Sequence, residues 1–276
     1  MERELSLASV GGKQLWGKVR GDPASSRAVV VLVHGLGEHI QRYEHVAEAF
    51  ARRGFALLGF DQQGHGKTHG KRGVIAANNS LLRDIEAMVI LAKQLAPEKP
   101  VYLYGHSLGG VEVLYYGLNG REKVDGIMAT SPGIDPDIMS KIQRVLVRLL
   151  KPILPRLTID NGLDANALSR DDEVVARYQR DALVHPKISL ELAAFMLDGG
   201  DDVRSRADEW QVPLYLAHGS ADTICPVEGS RAFASMLAEK VVYQEWEGLF
   251  HETHNELEQE QVLATMLDWL DGQLSG

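Results

Sequence analysis

The segment "YLYGHSLGG" sets Gly105, His106, Ser107, Leu108 and Gly109 in a G-x-S-x-G pattern. A serine hydroxyl is a weak nucleophile at neutral pH. It attacks a carbonyl only when a nearby base takes its proton. The pattern serves that chemistry when it joins a strand to a helix. The serine then occupies a strained turn, and the glycines let strand and helix approach closely. Its Oγ stands exposed at a helix N-terminus, whose dipole favours a developing anion. "VYLYG" reads as the strand and "SLGGVEVLYYGLNG" as the helix. The plainer alternative is a glycine-rich turn with an incidental serine, and the flanking elements weigh against it.

A base needs an orienting acid, and in this arrangement the chain order is Ser, then Asp or Glu, then His. "LYLAHGSADTICP" supplies Asp222 in the loop after a predicted strand, and "VVYQEWEGLFHE" supplies His251 after the next. Taken singly, Asp222 is a turn aspartate and His251 a loop or helix-cap histidine. With Ser107 they read as acid, base and nucleophile. "VLVHGLGEH" follows an earlier strand, and its His-Gly-x-Gly turn can aim a backbone N–H at an acyl oxyanion. That donor is assigned to Leu36 and a second to Leu108. His34 and His39 are read as loop tethers. His254, Asn255 and Glu256 are read as the polar start of the last helix, with His254 facing away from His251.

Two near-miss motifs fall. "HETHN" carries Asn255 where the zinc pattern H-E-x-x-H needs histidine, and "GFDQQGHGKTHG" carries Asp61 where a phosphate-binding loop needs its first glycine. Neither a metal nor a nucleotide cofactor is therefore expected. Gly64, Gly66 and Gly70 are expected to shape a loop near the site.

These residues must be positioned by elements that the hydrophobic pattern makes visible. "RAVVVLVHG", "FALLGFD", "VYLYG" and "VDGIMATS" are apolar runs of strand type, and helical spacing lies between them. "ELSLAS" and "KQLWGKV" flank a Gly-Gly pair and predict an antiparallel hairpin feeding the sheet. The alternation stops after "SPG" and resumes with "VPLYLAHG" and "VVYQEWEG". The expected fold is α/β, a mostly parallel central sheet with helices on both faces. Residues 1–133 and 206–276 form its core, and residues 134–205 a helical cap insertion without strands. In "IMSKIQRVLVRLLKPILPRL" apolar residues recur at helical spacing with Lys141, Arg144, Arg148 and Lys151 between them. This predicts an amphipathic lid. Its apolar face either packs on the core or touches a membrane surface.

Composition narrows the function classes. A formal charge of -9 and a pI near 5.6 argue against nucleic acid as a partner. A lone cysteine, Cys225, cannot form an internal disulfide and fits a reducing cytoplasm. The N-terminus lacks a signal-peptide pattern. No apolar run reaches ~18 residues, so lipid contact would be peripheral. Nothing in the composition sets an oligomeric state.

Together "HGLGEHIQRY", "GFDQQGHGKTHGKRG", "GHSLGG", "GSADTICP" and "GLFHETHNE" resemble the monoacylglycerol lipase family of α/β-hydrolases, which merges with lysophospholipase-like hydrolases. The resemblance runs from about residue 13 to the C-terminus. "SPGI" and "ALSRDDEVVARYQRDALVH" resemble that family's cap. It implies the α/β-hydrolase fold, Ser107, Asp222 and His251 as a triad, and Leu36 and Leu108 as oxyanion donors. It also implies cleavage of monoacylglycerol to fatty acid and glycerol without a cofactor or metal. Cys225 falls where family members often carry a thiol near the site; an inert buried thiol is the plainer reading. Leu108 departs from the methionine usual in mammalian monoacylglycerol lipases. A lysophospholipase or broad carboxylesterase is the alternative within hydrolases. From another class, a catalytically silent binding protein of this fold would lack a triad member, and none is missing. A zinc hydrolase would be chelator-sensitive.

Overall fold

The computed structural model describes residues 2–9 and 12–275. Gly11, half of the Gly-Gly pair expected at the first turn, lies outside them. The strands are β1 (Glu2–Ala8), β2 (Gln14–Arg20), β3 (Val29–Val33), β4 (Ala56–Phe60), β5 (Val101–His106), β6 (Gly126–Thr130), and, later, β9 (Leu214–Gly219) and β10 (Val241–Trp246). Among the described residues these form an eight-stranded sheet in the order β1-β2-β4-β3-β5-β6-β9-β10. The β1–β2 and β2–β4 pairs are antiparallel and the rest are parallel. The predicted hairpin is thus present and enters the sheet through β2.

The central strands are apolar because both of their faces are covered. Every residue of β3, β4, β5, β6 and β9 is buried. Their alternation divides the core into two layers. Val29, Val31 and Val33 join one cluster with residues of α2 (Ser80–Leu95), α3 (Leu108–Asn119) and α7 (Val227–Leu237). Val30 and Leu32 join the other, with α1 (Glu44–Arg52) and α8 (Gln259–Gln273). The edge strands β1 and β10 keep exposed positions. The parallel strands point their C-terminal ends one way, where ligands of such sheets bind.

Between β6 and β9 lie α4 (Lys141–Leu150), β7 (Thr158–Asp160), α5 (Asp172–Arg180), β8 (Lys187–Ser189) and α6 (Leu190–Ser205). The absence of strands expected for residues 134–205 is corrected here. β7 and β8 pair antiparallel, with Ile159 opposite Ile188. Three residues are too few to show an alternation, so "TID" and "KIS" carried no strand signal. Their pairing is fixed by contacts distant in sequence: Ser189 N donates to Gly73 O at 2.9 Å and Asn161 N to Pro186 O at 2.7 Å.

The α4 helix starts in a capping box between Ser140 and Gln143, which satisfies its first N–H groups. Its apolar face does not pack on the core. Only Val147 is buried, while Ile142 is 74% exposed, Leu149 65%, and Ile153 beyond the helix 75%. The α6 helix does the opposite. Ser189 caps it by accepting from Leu192 N, and ten of its residues are buried. It lies on α3, with the Phe195 ring edge-on to Tyr115 at 5.6 Å.

Candidate active site

The turn from β5 to α3 puts Ser107 at φ 55, ψ -115. A non-glycine residue there stores about 1–3 kcal/mol of backbone strain. The surroundings impose it. Ser107 N donates to Thr130 O at 2.9 Å, and Ser107 O accepts from Val111 N at 3.0 Å. The elbow glycines are steric necessities. A Cβ on Gly105 would lie 2.1 Å from Gly109 O, and one on Gly109 would lie 2.1 Å from Val33 O. No side chain fits where β5, β3 and α3 meet.

The turn after β3 lies against the serine. A Cβ on Gly35 would fall 3.3 Å from Ser107 Cβ. Gly35 N donates to Glu38 Oε1 at 2.7 Å, which fixes the turn. The next N–H, that of Leu36, donates to no group among the described residues. Leu108 opens α3, so its N–H has no intrahelical acceptor. The two N–H groups expected as oxyanion donors therefore belong to turns that touch the nucleophile.

Asp222 follows β9 and His251 follows β10. His251 Nδ1–H donates to Asp222 Oδ2 at 2.7 Å. Ile224 N and Cys225 N donate to Oδ1 at 2.8 and 3.0 Å. Burial pushes the Asp222 carboxyl up, but the His251 charge and the bonds from His218 and His251 outweigh it. They hold the group well below the usual carboxylate range. For His251 burial disfavours the charge; Asp222 overcomes it, leaving the imidazole above its ordinary value. Ser131 Oγ donates to His251 O at 2.7 Å and anchors the loop. Ser107 and His251 face one cavity of about 480 Å³. Ser107 Oγ is not hydrogen-bonded to His251 here. It lies 4.0 Å from Cys225 Sγ. A base–nucleophile hydrogen bond of this kind often tightens only with substrate bound. Burial pushes the Cys225 thiol well up, so it stands by the site as a neutral group.

The structure thus brings Ser107, Asp222, His251, Leu36 and Leu108 to one place. His34 and His39 are tethers, as expected. His34 Nδ1–H donates to Gly35 O at 2.7 Å and its Nε2 accepts from Gln62 N at 3.0 Å. His39 Nε2–H donates to Asp181 Oδ2 at 2.9 Å, tying the turn to the chain after α5. Gly64 and Gly66 adopt positive φ in the loop after β4, and Gly64 O accepts from His185 Nε2 at 3.0 Å.

His254 is corrected. It does not start α8, which begins at Gln259. It sits fully buried in a short 3-10 turn, Thr253–Asn255, stacked on Tyr43 at 4.8 Å and edge-on to His106 at 4.8 Å. Burial drives its imidazole well below the ordinary range. Asn255 and Glu256 are internal too. Asn255 Nδ2 donates to Glu252 Oε2 at 2.8 Å, and Glu256 Oε1 accepts from Phe250 N at 2.7 Å.

The sequence did not reveal a buried charge network beside the site. Arg42 Nη1 reaches Glu38 Oε2 and Glu252 Oε1, each at 2.6 Å, and Nη2 reaches Glu252 Oε2 at 2.6 Å. The guanidinium also lies 4.8 Å over the Tyr178 ring of α5. Burial favours the neutral Glu38 acid. At Glu252 burial is outweighed by Arg42, which holds the carboxyl down to about 2. The i, i+4 spacing of Glu38 and Arg42 was a visible hint; the pairing with Glu252, 210 residues away, was not.

A mostly parallel sheet with a serine on a strained strand–helix turn, and an Asp–His pair from later strand ends, defines an α/β-hydrolase. A family profile described as serine aminopeptidase, S33, matches residues 24–258. A monoacylglycerol lipase from Mycolicibacterium smegmatis is 34% identical over 270 residues, 97% of this chain and 96% of that protein. The crystal structure of Paleococcus ferrophilus monoacylglycerol lipase matches with a TM-score of 0.86 at 33% identity, covering 94% of this chain and 99% of that one. An uncharacterized abhydrolase domain-containing protein of Dictyostelium discoideum is 36% identical over 247 residues, 88% of this chain; the match spans 26% of that longer protein. The chain belongs to the monoacylglycerol lipase family of α/β-hydrolases.

Proposed function

We propose that the chain is a serine ester hydrolase that cleaves monoacylglycerol to fatty acid and glycerol through an acyl-enzyme on Ser107. The observation that carries this reading is the Ser107 elbow and the Asp222–His251 bond opening into a cavity lined by Ile138, Leu146, Val147, Leu150, Leu190 and Met196. Residues 134–205 act as its cap. An apolar chain lies among these side chains. His251 takes the Ser107 proton as Oγ attacks the acyl carbon, and Asp222 stabilises the imidazolium. The Leu36 and Leu108 N–H groups receive the oxyanion; each such donor contributes about 100- to 1000-fold in rate. His251 then protonates the departing glycerol oxygen. Water, deprotonated by the same imidazole, releases the fatty acid and restores Ser107. Similarity to proteins named as monoacylglycerol lipases supports this substrate class.

The electrostatics of the cavity favour a neutral headgroup over a phosphate. Arg42 is the one guanidinium among its lining residues, and both its terminal nitrogens are held by Glu38 and Glu252. Asp160 and Asp164 add carboxylates to the lining. An anionic lysophospholipid meets repulsion and finds no free lysine or arginine among the described lining residues. In a panel of monoacylglycerol, diacylglycerol, lysophosphatidylglycerol and short p-nitrophenyl esters, kcat/KM is expected to be highest for monoacylglycerol. The lysophosphatidylglycerol value should be at least about tenfold lower, a discrimination of roughly 1.4 kcal/mol. Equal or better turnover of the lysophospholipid would move the assignment to the alternative lysophospholipase activity.

No helix of the described residues is long and apolar enough to cross a membrane. We place the protein at the membrane surface peripherally, through the exposed face of α4. Arg144 and Arg148 already approach Asp201 at 3.7 and 3.5 Å, and Lys151 approaches Glu191 at 3.7 Å. Half-paired cations add little attraction to anionic lipid, so apolar insertion of Leu149 and Ile153 dominates. The double variant Leu149→Asp, Ile153→Asp is expected to lose most vesicle binding in a flotation assay, and hydrolysis of a short soluble ester should hold. Binding by the unaltered protein should fall less than about threefold in high salt, since screening reaches only the charge contribution. Unchanged flotation of the variant would remove the membrane role.

A further inference from the structure

Asp222 has a partner outside the proposed triad. His218, the fifth residue of β9, is fully buried, and its Nε2 lies 3.1 Å from Asp222 Oδ2 and 2.9 Å from Cys225 O. Both neighbours are acceptors, so the ring carries its proton on Nε2. Nδ1 faces Ser230 Oγ of α7 at 2.7 Å. Ser230 is also fully buried, and its hydroxyl donates to the unprotonated Nδ1. That bond fixes the tautomer.

Oδ2 of Asp222 is therefore shared by two imidazole donors, one from His218 and one from His251. The Ile224 and Cys225 N–H groups hold Oδ1 alone, so without His218 the Oδ2 edge is held only by the base that Asp222 must itself orient. His218 closes the other edge. Through Cys225 O it also fixes the residue whose sulfur lies against Ser107 Oγ. Resting on the hydrolase reading above, we infer that His218 is a positioning residue: it sets the plane and basicity of Asp222, and Ser230 sets the tautomer of His218.

The sign of the effect follows from sharing one oxygen. A carboxylate oxygen that receives one donor instead of two binds that donor more strongly. Loss of the His218 N–H therefore stabilises the His251 imidazolium and moves the acid limb of the kcat/KM profile to higher pH. Plateau kcat falls at the same time, because Asp222 is no longer held in plane. Outer-shell partners of this kind typically matter by about 10- to 100-fold in activity.

The experiment compares kcat, KM and pH profiles of wild type, His218→Leu, His218→Gln and Ser230→Ala on monoacylglycerol. His218→Leu keeps the volume and removes the donor; kcat should drop about 10- to 100-fold with KM nearly unchanged and the acid limb displaced upward. His218→Gln retains an N–H in reach of Oδ2 and should recover most of the loss. Wild-type kcat and pH profile in His218→Leu would overturn the inference, and so would an equal loss in His218→Gln. Should His218→Leu fail to fold, Ser230→Ala decides: a smaller kcat loss with the same direction of pH shift supports the role, and an unaltered profile overturns it. A wild-type enzyme inert on monoacylglycerol would instead sink the functional reading itself.

Discussion

Ser107→Ala is expected to reduce kcat on monoacylglycerol by about 10⁴- to 10⁶-fold, and adding His251→Ala to it should cost almost nothing more. Nucleophile and base act as one unit: once Oγ is absent, no proton remains for His251 to take. Additive losses in the double variant would show that His251 works independently of Ser107. The fold should survive. Ser107 sits at φ 55, a conformation strained for alanine and serine alike, and its backbone bonds to Thr130 and Val111 use no side-chain atom. His254→Ala makes the contrasting control. That ring is buried between Tyr43 and His106, so its removal opens a cavity and lowers Tm. In the folded fraction kcat should stay within a few-fold of wild type. The measurement is single-substrate kinetics on purified variants, with thermal unfolding alongside.

What the sequence disclosed was local. The elbow announces itself because two glycines and a serine must stand in fixed order where a strand meets a helix, and their near contacts with Val33 and Gly109 show why. Asp222 and His251 could be read from order, since each follows a strand: the fully buried β9 for Asp222 and the edge strand β10, marked by "VVY", for His251. The two-layer core was readable for the same reason: a buried parallel strand is apolar at every position.

The rest depended on distance in sequence. His218 is one residue of a run that reads only as strand, and nothing near it announces that Nε2 will meet Asp222. The Arg42 network joins residues 210 apart. His254 misled because a polar residue ahead of a helix usually caps it, whereas the three aromatic rings of Tyr43, His45 and His106 enclose this one. In α4 the spacing gave the amphipathic face but not what covers it. Val147 alone is buried, Leu146 and Leu150 line the cavity, and α6 rather than α4 lies on α3.

Asp222→Asn should be nearly as damaging as loss of the nucleophile, about 10⁴-fold in kcat, and the hydrogen bonds dictate how. Ile224 and Cys225 present N–H donors to Oδ1, so the amide of an asparagine must keep its oxygen there. Its NH₂ then takes the place of Oδ2, facing His251 Nδ1 and His218 Nε2. His251 relieves the donor–donor contact by moving its proton to Nε2 and accepting at Nδ1. In that tautomer Nε2 cannot take the Ser107 proton. The anion that raises the His251 pKa is lost as well, so the small residual activity should show its acid limb at lower pH than wild type. Wild type itself needs the neutral imidazole, and its kcat/KM should fall as pH drops through a value above the ordinary 6.5 or so of histidine. The two displacements have opposite signs: removing the Asp222 charge lowers the limb, whereas removing the His218 donor raises it. A pH series on both variants therefore separates the charge of Asp222 from its placement. An Asp222→Asn enzyme with wild-type kcat and an unmoved limb would show that another carboxylate, not Asp222, orients the base.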